Sequence, residues 1–232
     1  MKRTQLLCLI AVPVAIALSF ATAQAQKLQS PAVQLAAAMA KGDVNTALRA
    51  GGEPFEKLSE TAFTADWRVL SKGIGEANDA ATKLRSSLTP ADATRLDTQL
   101  SAVRDARQKQ DRAALSLSAI EGYRVLVSAV TDKAKVPMEV SLLDYAGFRY
   151  QAHLKSKPTR WDEMSLAVEF ARQTAKTLAP KLPSPALAAN VDKIILAMDQ
   201  AAKDRNPKAA AASVKSELDY VDVIEKAFAK LP

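Results

Sequence analysis

The stretch WRVLSKGIGEANDAATKLRSSLTP, residues Trp67–Pro90, contains the apolar pattern from which the fold class can be predicted. Its apolar positions recur at alternating intervals of three and four residues: Trp67, Leu70, Ile74, Ala77, Ala81, Leu84 and Leu88. This spacing places about one apolar side chain per turn on the same face of an α-helix. At the end of the stretch, Thr89 precedes a proline at the first position of another helix. The pattern therefore predicts a long amphipathic helix, a turn and a second helix.

The same pattern returns at an offset of 94 residues, beginning at Trp161. Its apolar positions are Trp161, Met164, Val168, Ala171, Ala175, Leu178 and Leu182, and a proline-marked turn follows again. Amphipathicity alone would explain matching apolar residues, but it would not explain the paired tryptophans or the similar distance to the turn. We therefore interpret the chain as two pseudo-repeated halves of four helices each, residues 31–133 and 137–230, which an ancient duplication would produce.

Proline and capping residues mark further helix starts at Ser30-Pro31, Ser184-Pro185 and Asn206-Pro207, and the whole chain has only seven glycines. The predicted helices are 31–50 with a break near Gly42, 65–87, 90–108, 111–133, 137–156, 160–179, 185–204 and 207–230. No alternation of period two competes with this pattern. We predict an all-α fold, an up-and-down bundle of about eight helices. The lack of a Gly/Ser linker favours one domain, 26–232, over two tandem bundles.

The first residues, MKRTQLLCLIAVPVAIALSFATAQAQ, have the features of a secretory signal peptide. Two basic residues precede an apolar run, Leu6–Phe20, which is shorter than the ~20 residues that span a bilayer. Small residues follow at the spacing of a signal-peptidase cleavage site. We expect removal of residues 1–25, or cleavage after Ala23, and a periplasmic or secreted mature protein without stable membrane insertion. An uncleaved membrane anchor is the alternative.

The composition of the mature chain excludes several kinds of site. Cys8, the only cysteine, lies in the signal segment, so the mature protein has no disulfide, thiolate metal site or cysteine nucleophile. Removing the signal leaves 30 basic and 25 acidic residues, a net charge of +5. This excess is modest and no dense basic run is present, so nucleic acid is not an expected partner.

The stretch VPMEVSLLDYAGFRYQAHLK, residues 136–155, holds the only histidine in the chain. Drawn as a helix at about 100° per residue, it places one polar arc on the expected solvent-facing side. Phe148 shares this arc with Ser141, Asp144, Gln151 and Lys155. The rest of the circumference is mainly apolar, but Glu139, Arg149 and His153 interrupt it. A buried polar group without a partner costs ~1–3 kcal/mol, so we expect Arg149 and His153 to have partners.

Two interpretations of this helix stay open. In the structural one, a carboxylate from another helix, such as Glu169 or Glu217, pairs with Arg149 and His153, or these side chains reach solvent at the end of the helix. In the functional one, the helix lines a polar pocket between helices, where bundles commonly bind ligands. The candidate ligand-binding residues are Arg149, Tyr150, His153, Tyr145 and Glu139.

The sequence favours binding over catalysis. It contains no G-x-S-x-G, no H-E-x-x-H and no glycine-rich phosphate loop, and one histidine would have to serve every acid–base step. We expect a non-enzymatic helical bundle without a cofactor that binds a small ligand or an envelope protein. The alternative is a metal- or haem-handling bundle, in which His153 and a methionine would hold the haem, although no E-x-x-H pair is present.

Overall fold

The computed structural model describes residues 30–131 and 133–231. These residues form nine α-helices, which we number α1 Pro31–Ala40, α2 Val44–Thr61, α3 Trp67–Leu84, α4 Pro90–Gln108, α5 Arg112–Ser128, α6 Met138–Lys155, α7 Trp161–Leu178, α8 Pro185–Lys203 and α9 Pro207–Ala229. The described part contains no β-strand. The all-α prediction is therefore confirmed, and the number of helices is close to the expected eight. The predicted signal peptide lies outside the described residues.

The helix starts follow the capping pattern of the sequence. The side chains of Thr89 and Asn206 accept hydrogen bonds from the backbone N–H of Asp92 and Ala209, at 3.2 and 3.1 Å. Ser30 and Ser184 also precede their helices, but neither side chain makes a capping hydrogen bond. At these two starts, the proline at the first helical position marks the boundary instead.

The break predicted near Gly42 is present, because α1 and α2 are separate helices, but the predicted helix end at residue 50 is wrong. Gly42, with a φ of +69°, ends the turn after α1, and Asp43 caps α2 by accepting a hydrogen bond from the N–H of Thr46. The second helix then continues to Thr61, through Gly51-Gly52 and Pro54. Glycine and proline disfavour a helix interior, which is why the sequence pattern placed the end at residue 50.

Close packing explains why α2 continues through its two glycines. A Cβ atom on Gly51 would lie 2.1 Å from the Leu84 side chain, and one on Gly52 would lie 3.0 Å from the Tyr123 ring. The absence of side chains at these two positions lets α3 and α5 approach the backbone of α2. Tertiary packing therefore outweighs the unfavourable local propensity.

The helices close into two rings. Helix α2 packs on α3 and α5, and α4 packs on α5 and, with a smaller contact, on α3. Helices α6–α9 pair in the same order, and both seam helices, α3 and α7, end in a three-residue 3-10 turn. This agreement is compatible with a duplication, but a superposition of the two halves, and the description of 26–232 as one domain, stay predictions.

Helix α6 lies where the two rings meet and contributes to both cores. Tyr145 and Phe148 pack with the first half, whereas Val140, Leu143 and Tyr150 pack with the second. This double contact explains why the apolar side of α6 is so wide, since each fully buried side chain contributes about 1.5–3 kcal/mol. Within the described ranges, no helix has both the length and the apolar character needed to cross a membrane.

Candidate functional site

A cleft of about 640 Å³ lies between α2, α6 and α9, with α5 contributing to its wall. Each of the three long helices presents residues at intervals of three or four positions, so one face of each helix lines the same space. The lining residues are Arg49, Glu53, Glu56 and Glu60 of α2; Tyr123 and Val127 of α5; Ser141, Asp144, Phe148 and Gln151 of α6; and Lys215, Leu218, Asp219, Val221, Asp222 and Glu225 of α9.

The α6 wall of this cleft is the polar arc that the sequence pattern assigned to solvent. Ser141, Asp144, Phe148 and Gln151 face the cleft instead. A polar arc looks the same in the sequence whether it meets bulk water or a water-filled cleft, and α2 and α9 lie far away in the chain. The inclusion of Phe148 in an otherwise polar arc was the one signal that this side of α6 is partly covered.

The cleft is strongly acidic. Seven carboxyl groups line it, against two basic side chains. Arg49 donates hydrogen bonds to Ser141 Oγ, at 2.8 Å, and to the carbonyl oxygen of Val136, which holds it at the start of α6. Lys215 forms an ion pair with Asp219 on the exposed face of α9. Both basic side chains therefore already have partners, and carboxyl groups make up most of the charged lining of the cleft.

Two of the carboxyl groups carry strongly raised pKa values. Burial, reinforced by the charges of Asp144 and Glu225, raises the pKa of Glu56 to about 9. Burial and Glu225 raise the pKa of Asp144 to about 8, although the Tyr123 hydroxyl donates a hydrogen bond to it at 3.4 Å. These groups hold protons at neutral pH, because ionising them would place like charges together in a partly desolvated space.

A further buried carboxyl lies behind the cleft wall. Glu217 of α9 is 5% exposed, and neither of its oxygens has a hydrogen-bond partner within the described residues. Its carboxyl group lies against the backbone of α6 at Gly147, where a Cβ atom would be only 1.8 Å from Oε2. Burial, with a contribution from the charge of Asp144, raises the pKa of Glu217 well above its usual range.

The structure brings together three of the five residues selected from the sequence: Arg149, Tyr145 and His153. Arg149 Nη2 lies 3.4 Å from a carboxylate oxygen of Glu163, and its Nη1 donates to the Tyr145 hydroxyl at 3.4 Å. The Tyr145 hydroxyl donates in turn to Glu121 at 2.6 Å. A carboxylate of another helix therefore neutralises Arg149, as the structural interpretation expects, but it is Glu163 of α7 rather than Glu169 or Glu217.

His153 is buried beside this pair. Its side chain is almost inaccessible, and neither ring nitrogen has a hydrogen-bond partner in residues 30–131 and 133–231. Nε2 lies 3.9 Å from the Glu163 carboxylate. Burial, together with the charge of Arg149, lowers the pKa of His153 to about 4, although Glu163 acts in the opposite direction. The imidazole is therefore neutral at pH 7.

The remaining two candidate residues lie elsewhere. The Tyr150 hydroxyl donates to the carbonyl oxygen of Met198, at 3.0 Å, inside the second half. Glu139 is buried, and its Oε1 accepts a hydrogen bond from Lys181 at 2.6 Å. Binding of a ligand by any of the five selected residues stays a prediction.

Over the described ranges, no three His, Cys, Asp or Glu side chains are arranged so that they could hold a metal ion. Comparisons of the chain with protein-family models, with curated proteins and with solved structures found no match. The geometry and charge of the acidic cleft are therefore the observations that bear on function.

Proposed function

We propose that this protein is an exported, non-enzymatic helical bundle whose acidic cleft binds a positively charged small ligand. The observation that carries this proposal is the gathering of seven carboxyl groups from three helices around one cavity. A cavity of about 640 Å³ is within the range of small-molecule sites, roughly 300–1,000 Å³. The sequence features of a signal peptide support export.

The electrostatics of the cleft support a cation as the ligand. The charges that act most strongly on Glu56 are those of other carboxylates, from Asp144, Glu225 and its own helix. A bound cation would relieve this repulsion and offset the cost of ionising the buried groups. His153, the only histidine in the chain, does not line the cleft. Its position elsewhere supports binding, rather than histidine-dependent acid–base catalysis, in the cleft.

Native mass spectrometry of protein isolated from the periplasm tests the proposal. We expect the mass of a chain that begins at Gln26 or Gln24, together with a non-covalent basic adduct. The double variant Glu56→Gln/Asp144→Asn should lose the adduct, because it removes the two cleft acids whose pKa values are raised to about 9 and about 8. The matched control Glu76→Gln/Asp105→Asn changes the same residue types on α3 and α4, outside the cleft, and should retain it.

Each of the other results has a distinct meaning. A retained Met1 would contradict export. An adduct that survives in Glu56→Gln/Asp144→Asn would place the ligand outside the cleft. A stoichiometric metal or haem would favour the alternative function, and a cleft that binds neither an adduct nor any added cation would contradict the proposal.

A further inference from the structure

We propose that the ligand of the acidic cleft is a linear organic polycation, a di- or triamine whose ammonium groups are separated by methylene segments. This inference rests on the proposed function and specifies its ligand class. Three features of the cleft carry it: its elongated shape, the distribution of its carboxyl groups and its apolar walls.

The cleft is elongated along its helices. Glu53 and Glu60 are two turns apart on α2, a distance of about 10 Å from the helix rise. Arg49 of α2 contacts Ser141 near the start of α6, and Glu60 acts electrostatically on Lys155 at the end of α6. Helices α2 and α6 therefore run in the same direction along the cleft, and the space between them suits an extended molecule.

The carboxyl groups are distributed along this length instead of converging on one point. Ca²⁺ and Mg²⁺ bind where several oxygens surround one position at about 2.0–2.6 Å. Here Glu53, Glu56 and Glu60 occupy successive turns of α2, and Asp144 faces them from α6. Ammonium groups spaced along a chain would each meet a carboxylate at a different level of the cleft.

Apolar and aromatic side chains lie between the carboxyl groups. Val127, Phe148, Leu218 and Val221 contribute apolar surface, and the ring of Tyr123 lines the same space. Methylene segments would remove this surface from water, and an ammonium group over an aromatic face gains a cation–π interaction. A hydrated metal ion would gain neither contribution.

The charge balance of the lining also agrees with a polycation. Seven carboxyl groups line the cleft, and the only basic side chains among the lining residues are Arg49 and Lys215. Both already have partners, since Arg49 donates to Ser141 and Val136 and Lys215 pairs with Asp219. A ligand with two or more positive charges would therefore meet an excess of carboxyl groups.

Binding should release protons. Glu56 faces Glu53 and Glu60 on its own helix, Asp144 across the cleft on α6, and Glu225 on α9. Its pKa and that of Asp144 lie above neutral pH without a ligand. An ammonium group placed between them favours the ionised forms, so the amine displaces their protons into the buffer.

Isothermal titration calorimetry of the purified protein at pH 7 and low ionic strength tests the inference. Putrescine and spermidine should bind with one-to-one stoichiometry, whereas butanediol, the neutral analogue of putrescine, should not. Repeating the titration in buffers with different ionisation enthalpies measures the released protons. The variant Glu56→Gln/Asp144→Asn should weaken binding by about tenfold or more, as expected when charge-assisted hydrogen bonds are lost. Glu76→Gln/Asp105→Asn should bind like the wild type.

The competing outcomes are separable. Tight, cleft-dependent binding of Mg²⁺, Ca²⁺ or Zn²⁺ without amine binding would overturn this inference and leave the proposed cation-binding function standing. Binding of no cation at all would overturn both. Amine binding that Glu56→Gln/Asp144→Asn does not weaken would show non-specific association with the surface, and would also overturn the inference. Circular dichroism melting of both double variants confirms that the comparison is made on folded protein.

Discussion

His153 lies on α6 with its imidazole buried, and the charged groups that act on its pKa are Arg149 on the same helix, Glu163 on α7 and Arg160 just before α7. Burial and Arg149 both oppose protonation of the ring. The folded-state pKa is therefore below the ordinary value of 6.5. A depressed pKa means that this residue contributes stability above pH 6.5, and that the contribution is lost as the pH falls towards 4.

At the residue scale, we predict that His153 titrates near pH 4, as its buried position requires. The chain has a single histidine, so NMR of untagged protein follows one imidazole signal. Arg149→Ala should raise the pKa, because it removes a repelling charge, and Glu163→Gln should lower it further, because it removes an attracting one. A titration near pH 6.5 that neither variant changes would contradict the burial of this ring.

The contact between α6 and α9 depends on a glycine. Gly147 has no side chain, and the carboxyl group of Glu217 together with Leu218 occupies the space that a Cβ atom would need. The two helices therefore approach closely on the flank of the cleft. Because α6 also packs on the first half, this contact helps to set the positions of the cleft walls.

At the element scale, we predict that Gly147→Ala lowers the free energy of unfolding by about 1–3 kcal/mol through overpacking. Adding Glu217→Ala should offset much of this loss, because it removes the carboxyl group from the space that the new Cβ atom needs. The control is Gly75→Ala on the exposed face of α3, where a Cβ atom meets nothing within 4 Å. Because alanine has a higher helix propensity than glycine, Gly75→Ala should stabilise the protein by up to about 1 kcal/mol. Urea denaturation measures the free energy of unfolding of all three variants. Equal changes for Gly147→Ala and Gly75→Ala would contradict the close contact at Gly147.

The cleft is a property of the whole molecule, because α2 belongs to one ring of helices and α9 to the other. Its carboxyl groups repel one another, and only Arg49 and Lys215 among the lining residues oppose them. Glu56 and Asp144 have folded-state pKa values near 9 and 8, above those of the unfolded chain. Such groups contribute stability below pH ~4 that is progressively lost as the pH rises through the folded-state values.

At the scale of the whole molecule, we therefore predict that the ligand-free protein becomes less stable between pH 7 and pH 9. His153 does not titrate in this window, so it does not mask the effect. Glu56→Gln/Asp144→Asn should be more stable than the wild type at pH 8 and should show a flatter pH dependence. Thermal melting at constant ionic strength measures both. If the melting temperature falls equally with pH in this variant and in Glu76→Gln/Asp105→Asn, the cleft carboxyls are not the source of the pH dependence.

The all-α class, most helix positions and the two tryptophan-led apolar seams could be predicted from the sequence. These features are local: an apolar spacing of three and four residues buries one face of a helix, and a capping residue before proline satisfies or removes the first free N–H groups. The pattern failed at Gly51-Gly52 and Pro54 of α2, where packing against Leu84 and Tyr123 sustains a helix that local propensity would end.

The neighbours of each face of α6, in contrast, depend on tertiary packing. The sequence showed that Arg149 needs a counter-charge, but only the packing of α7 identifies Glu163 as that partner. Likewise, the arc containing Asp144 was recognised as polar, but only the approach of α2 and α9 turns it into the wall of an acidic cleft. The physical reason is that charge and desolvation depend on distances between helices far apart in the chain, and the periodicity of a single helix carries no information about those distances.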